Sequence, residues 1–172
     1  MTIPKKVTPK SKGNTSNKIG STFESKLINV FEKYRQEGKA YIIKVPTEVT
    51  IIRNGARIVN AIHRQKSDCL DFTGFLKDGK PIVFEAKTTK ELNRFPLTNI
   101  ADYQYELVDE LYNFIDNVFY IIEFRSHNEV YLVHGSKIKE FKENSTRKSI
   151  PYAEFKNIGI LMNDLDILKY LN

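Results

Sequence analysis

The sequence of 172 residues is poor in cysteine and contains no long apolar run. Its one cysteine, Cys69, excludes an intramolecular disulfide and a cysteine-rich zinc site. No apolar stretch approaches the ~18–20 residues of a membrane span, so a transmembrane helix is not expected. The opening MTIPKKVTPKSKGNTSNK also lacks the apolar core of a secretory signal. These absences predict a protein of a reducing cytoplasm, in which Cys69 is a small buried side chain rather than a nucleophile.

Acidic residues are missing from two segments, and this uneven distribution is more informative than the net charge of +6. Residues 1–19 carry five lysines and no acid, and their composition predicts a disordered basic tail. The second acid-free segment is residues 50–67, which could neutralise phosphates or could simply be a solvated hairpin. Its basic residues are Arg53, Arg57, Arg64 and Lys66.

The apolar pattern predicts a single α/β domain over residues 20–172. A first helix is expected to begin at an N-cap, Ser21 or Thr22, and to end at Gly38. The order of the remaining elements indicates a mixed central sheet flanked by helices. These elements are a hairpin with its turn at Asn54-Gly55, strands over 71–76 and 80–88, a helix over 98–115, strands over 118–124 and 130–135, and short helical pieces near the C-terminus.

An acid and a base point to the same side of the strand PIVFEAK. Side chains alternate between the faces of a strand, so Glu85 and Lys87 share one face, while Asp71 begins the preceding strand. Two carboxylates are hard oxygen ligands for Mg²⁺, and a neighbouring lysine can orient or deprotonate the water that attacks a phosphodiester. The same Glu-x-Lys pattern also fits a salt-bridged, solvent-facing edge strand.

The turn between these two strands decides whether the carboxylates meet. A two-residue turn of Asp78 and Gly79 would leave Asp71 and Glu85 on opposite faces of the sheet. A three-residue loop over residues 77–79 instead places Asp71 directly opposite Glu85. Because that loop type favours glycine at its left-handed position, which Gly79 supplies, the three-residue loop is predicted.

Several distinctive motifs follow one another along the chain: GSTFESKL, KVPTEV, DFTG, FEAKTTK followed by FPLTNI, DYQYELV and RKSIP. In this order they resemble the RecU family of Holliday-junction resolvases, which belongs to the PD-(D/E)xK nuclease superfamily. The string FEAK followed by FPL in this spacing is the most specific of them. The resemblance implies a restriction-endonuclease-like core with a protruding β-stalk over residues 50–67.

The resemblance also implies roles for individual residues. Asp71 and Glu85 correspond to metal ligands, and Lys87 corresponds to the catalytic lysine. Glu24 corresponds to an acid that approaches the metal in related nucleases, although it also fits a first-turn glutamate stabilised by the helix dipole. Gln104 corresponds to a glutamine near the active site, and it equally fits an exposed helix position.

Basic residues are the candidates for DNA contact. In the family, the stalk enters the open centre of a four-way junction, which would bring Arg53, Arg57, Arg64 and Lys66 to phosphates. Arg147 and Lys148 are further candidates for backbone contact, although two basic residues are ordinary in a polar loop.

The expected function is a Mg²⁺-dependent endonuclease that resolves Holliday junctions by paired symmetric nicks during recombination and repair. Mn²⁺ is expected to substitute for Mg²⁺, and branched DNA and a second copy of the chain are the expected partners. Two alternatives remain: another nuclease of the superfamily that acts on duplex DNA, and a non-catalytic DNA-binding accessory protein.

Overall fold

The structure, a computed structural model, describes residues 14–46, 49–63 and 68–171. Among these residues no helix has the length and apolar character needed to cross a membrane. The helices are α1 (Asn14–Gln36), α2 (Asp102–Leu111), α3 (Gly135–Asn144) and α4 (Phe155–Ile158). The strands are β1 (Ala40–Lys44), β2 (Val49–Asn54), β3 (Arg57–His63), β4 (Phe72–Leu76), β5 (Pro81–Thr89), β6 (Arg94–Pro96), β7 (Val118–Phe124), β8 (Glu129–His134), β9 (Ser149–Pro151) and β10 (Gly159–Met162). Single-turn 3₁₀ helices lie at Leu97–Asn99, Tyr152–Glu154 and Ile167–Tyr170.

Six of the described strands form one mixed sheet in the order β1-β4-β5-β7-β8-β10. Strands β5 and β7 are parallel, and the other neighbours in this sheet are antiparallel. Parallel neighbours need a crossover connection, and α2 lies in the chain between β5 and β7. The predicted α/β class with a mixed central sheet flanked by helices is confirmed.

Apolar side chains cover both faces of the sheet, and β5 contributes to both. On one face Val83 belongs to a buried cluster with Val108 of α2. On the other face the ring of Phe84 stacks on that of Phe31 in α1, with centroids 5.7 Å apart. Burying a side chain of this size stabilises the fold by about 1.5–3 kcal/mol. Strand β5 is therefore an interior strand, and the alternative of a solvent-facing edge is wrong.

Helix α1 begins at Asn14, so the N-cap expected at Ser21 or Thr22 is wrong. In the sequence, Ile19 lies four residues before the buried Phe23, so the apolar period of the helix continues past the expected cap. Residues 14–19, which were assigned to the predicted disordered tail, are therefore helical, and the rest of that prediction, residues 1–13, lies outside the described residues.

Two further details differ from the sequence expectations. Helix α2 ends at Leu111 rather than at the expected residue 115, and Phe114 lies beyond it with 79% of its surface exposed. Cys69, expected to be buried, is exposed. Both residues lie close to chain reversals, where local apolar character is a poor guide to burial.

Strands β2 and β3 form the predicted hairpin as a two-stranded sheet of their own. The pair closes with Asn54 opposite Arg57, so the turn is Gly55-Ala56, one residue later than the expected Asn54-Gly55. Gly55 has a φ of +60°, a left-handed conformation that glycine adopts without strain. Arg53 and Arg57 are exposed beside this turn.

Candidate active site

The loop between β4 and β5 sets the register of the site. The amide of Leu76 donates to the carbonyl of Lys80 over 2.8 Å, and the amide of Gly79 donates to the carbonyl of Leu76 over 2.9 Å. Gly79 has a φ of +85°, as the left-handed position of a three-residue loop requires. The predicted loop over residues 77–79 is confirmed, and next to the pair of Phe72 and Phe84 the amide of Asp71 donates to the side chain of Glu85.

The carboxylates of Asp71 and Glu85 converge between the two strands. The backbone amide of Asp71 donates to Oε2 of Glu85 over 3.2 Å. The backbone amide of Ala86 donates to Oδ2 of Asp71 over 3.0 Å. Each carboxylate therefore accepts a hydrogen bond from the opposite strand, which holds both at one point of the sheet.

Lys87 and Gln104 complete this group. Nζ of Lys87 lies 2.8 Å from Oε1 of Glu85 and donates to Oε1 of Gln104 over 3.0 Å. Nε2 of Gln104 donates to Oε1 of Glu85, and the amide of Ala101 donates to Oε1 of Gln104 over 3.0 Å. Gln104 is only 8% exposed, so the alternative of an exposed helix position is wrong. We refer to Asp71, Glu85, Lys87 and Gln104 as the carboxylate cluster.

Glu24 and Lys44 form an ion pair beside the cluster. The charges of both side chains act on the pKa of Asp71, Glu24 raising it and Lys44 lowering it. No acidic residue lies in the first turn of α1, so the helix-dipole explanation for Glu24 is wrong. Sequence reasoning did not select Lys44. The signal for it is the register of β1, in which Lys44 lies opposite Phe72, the residue after Asp71.

Burial controls the electrostatics of the two carboxyl groups. Glu85 is 2% exposed, and burial, with a smaller contribution from the charge of Asp71, raises its pKa to about 7 although Lys87 acts to lower it. Burial also raises the pKa of Asp71, against the opposing effects of the Ala86 amide and Lys87. Two carboxylates in one desolvated place repel each other, and a cation bound between them would relieve that repulsion.

The donor set fits a divalent metal ion that prefers oxygen. In the ranges that the structure describes, no group of three or more His, Cys, Asp or Glu side chains is arranged to hold a metal. Mg²⁺ usually binds to one or two carboxylates and completes its shell with water and phosphate oxygens. The pair of Asp71 and Glu85 matches that requirement, whereas a structural zinc site would need four nitrogen or sulfur ligands.

The predicted DNA-binding residues that the structure describes lie on other elements than the carboxylate cluster. Arg53 and Arg57 are on the β2–β3 hairpin, and Arg64 and Lys66 lie outside the described residues. Arg147 and Lys148 are exposed between α3 and β9.

The sequence comparisons decide the family. The family model described as recombination protein U matches residues 18–172. The chain belongs to the recombination protein U family. A relative in Geobacillus sp. strain WCH70, named Holliday junction resolvase RecU, is 34% identical over 148 residues, which cover 81% of this chain and 73% of that protein. A relative of the same name in Lactococcus lactis is 33% identical over 181 residues, which cover 99% of this chain and 84% of that protein.

The recombination protein U match includes both the hairpin and every member of the carboxylate cluster, together with Glu24 and Lys44. It leaves out residues 1–17, which hold most of the lysines of the predicted tail. A solved structure of Hjc, a Holliday junction resolvase from Archaeoglobus fulgidus, covers 83% of this chain and 90% of its own, with a TM-score of 0.48 and 14% identity.

The raised pKa of Glu85 predicts how stability changes with pH. We expect the free energy of unfolding in EDTA to fall as the pH rises through the window from 4.5 to about 7. In this window the folded state keeps a proton on Glu85 that the unfolded chain releases, so rising pH favours unfolding. Urea unfolding at several pH values across the window measures the slope.

The matched variants are Glu85→Gln, which removes the buried ionisable group, and Glu110→Gln, which changes an exposed glutamate of α2. Glu85→Gln should flatten the slope, and Glu110→Gln should leave it as in the wild type. Equal slopes for the wild type and Glu85→Gln would show that burial does not raise this pKa.

Proposed function

We propose that this protein is a Mg²⁺-dependent endonuclease that resolves Holliday junctions by paired symmetric nicks. The observation that carries the proposal is the convergence of the buried carboxylate of Glu85 and the partly buried carboxylate of Asp71 with Lys87. Relatives named Holliday junction resolvase, at 33–34% identity over most of the chain, support the choice of a four-way junction as substrate.

In the proposed mechanism Asp71 and Glu85 hold the metal ion. A bound Mg²⁺ would supply Lewis acidity at the scissile phosphate and lower the pKa of the attacking water, and Mn²⁺ could supply the same chemistry. Lys87, whose ammonium is held between Glu85 and Gln104, would orient this water and stabilise the negative charge that develops on the phosphate.

Gln104 has a positioning role in this mechanism. Its amide group contacts both Glu85 and Lys87, and the amide of Ala101 fixes its oxygen. It therefore holds the acid and the base of the Glu-x-Lys pair at a set separation. Glu24 would become a third metal ligand only if it left its ion pair with Lys44, which would free that lysine for a phosphate.

The proposed DNA contacts are mainly with phosphates. Arg53 and Arg57, together with Arg64 and Lys66, would meet the strands at the junction centre, and Arg147 and Lys148 would contact the backbone elsewhere. Two symmetric nicks require two active sites related by a dyad, so the proposed enzyme is a homodimer. Its proposed place of action is the cytoplasm, where the DNA of a bacterial cell is found.

Asp71→Asn tests the site and the reaction together. We expect the wild type to nick a synthetic four-way junction with Mg²⁺ but not with EDTA, and to leave a duplex of matching sequence uncut. Asp71→Asn should bind the junction but cut it about a thousandfold more slowly, because it loses a metal ligand and with it several kcal/mol of transition-state stabilisation.

Asp116→Asn, an exposed aspartate after α2, is the control and should cut like the wild type. Unimpaired cutting by Asp71→Asn would refute the assignment of the site. Equal cutting of the duplex would favour a duplex endonuclease, and junction binding without any cutting would favour an accessory protein.

Arg57→Gln tests the role of the hairpin. If Arg57 contacts a phosphate, its loss should weaken junction binding and lower the slope of log affinity against log salt by about 1. Fluorescence anisotropy over a series of salt concentrations measures both quantities. Lys77→Gln removes the same charge from the loop between β4 and β5 and should leave the slope unchanged. Identical slopes for Arg57→Gln and the wild type would remove the hairpin from the binding surface.

A further inference from the structure

A cavity of about 420 Å³ opens beside the first turn of α2. None of Asp71, Glu85 and Lys87 lines it. Its volume lies within the usual range of small-ligand sites. We call it the α2 pocket and define it by Leu97, Ile100, Tyr105, Lys142, Arg147 and Lys148.

The inner walls of the α2 pocket are apolar, aromatic and fixed in place. Ile100 is 3% exposed and belongs to the main core cluster. The hydroxyl of Tyr105 donates to the carbonyl of Leu97 over 3.1 Å, which ties the ring to the opposite wall. Flat aromatic and apolar walls of this kind suit the face of a nucleobase, whichever base it is.

The rim of the α2 pocket is cationic. Lys142 lies 3.5 Å from the centroid of the Tyr105 ring and 3.3 Å from Asp102, which offsets its charge. Arg147 and Lys148 are exposed, and within the described ranges neither side chain forms an ion pair. The amide of Leu97 donates to the carbonyl of Lys148 over 3.0 Å, so the backbone of the rim is attached to the wall. Two unpaired cations at the mouth of an apolar cavity suit an anion attached to an apolar group.

The α2 pocket adjoins the carboxylate cluster. Ala101 lines the pocket, and its amide donates to the same Gln104 oxygen that accepts from Lys87. A ligand in the pocket would therefore lie against Ala101, whose amide holds the Gln104 side chain that contacts Lys87.

We propose that the α2 pocket binds one nucleotide of the DNA strand that is cut, an inference that rests on the proposed function. The base lies against Leu97, Ile100 and Tyr105. The phosphate of that nucleotide lies at Arg147 and Lys148. A free nucleoside monophosphate has the same chemistry, so the experiment must separate the two sources.

The test measures junction affinity in EDTA, without cleavage, for a series of junctions with one abasic position placed in turn near the cut. For the wild type, one position should lower the affinity about tenfold, the size expected for the loss of one base contact. Thr98→Trp fills the mouth of the pocket from an exposed residue of its wall and should remove this dependence. Arg147→Gln with Lys148→Gln should lower the affinity for every junction, as expected from the loss of phosphate contacts.

The control is Lys137→Gln with Lys156→Gln, which removes the same charge from exposed positions outside the pocket and should match the wild type. The proposal is overturned if the wild type and Thr98→Trp respond alike to every abasic position. A second outcome would also overturn the proposal. In it, no abasic position changes the junction affinity, yet deoxynucleoside monophosphates raise the melting temperature of the wild type and not of Thr98→Trp. The ligand of the pocket is then a free nucleotide. If one abasic position lowers the affinity of the wild type but the wild type cuts no junction, the pocket proposal stands and the proposed function is refuted.

Discussion

The register between β4 and β5 is the constraint on which the candidate site depends. Side chains alternate along a strand, so a slip of one residue would separate the carboxylates of Asp71 and Glu85 onto opposite faces of the sheet. Gly79 permits the three-residue loop that prevents the slip, and amides of the opposite strand then hold each carboxylate. The two acids would repel each other when both are charged. The backbone geometry of the two strands therefore brings them together.

Burial is the second condition, and it explains the arrangement around the acids. A buried ion without partners is costly, so Lys87 and Gln104 contact Glu85 to offset part of that cost. The offset is incomplete, because the pKa of Glu85 remains raised. The remaining repulsion is what the proposed divalent cation would relieve. Helix α2 connects the proposed metal site with the proposed nucleotide site, since its first turn carries Gln104 and also lines the α2 pocket.

The features that the sequence predicted are those that depend on short-range geometry. The alternation of PIVFEAK and the left-handed preference of Gly79 were sufficient to predict the loop, the shared face of Glu85 and Lys87 and the meeting with Asp71. Features that depend on the whole chain were missed. The ion pair of Glu24 and Lys44 arises only when α1 packs on the sheet beside β1, and Cys69 is exposed because of its place between strands, which its side-chain chemistry does not determine. The family resemblance selected Gln104, but only tertiary packing shows its burial.

The central claim is that Asp71 and Glu85 form one metal site. A double-mutant cycle on the affinity for Mn²⁺, measured by titration calorimetry without DNA, tests it most directly. The account predicts that Asp71→Asn and Glu85→Gln each remove most of the binding of one ion per chain. The double variant should bind Mn²⁺ no more weakly than the weaker-binding of the two single variants, because both changes disable the same site. Losses of Mn²⁺ binding free energy that simply add in the double variant would contradict the account. Mn²⁺ binding that survives in both single variants would also contradict it.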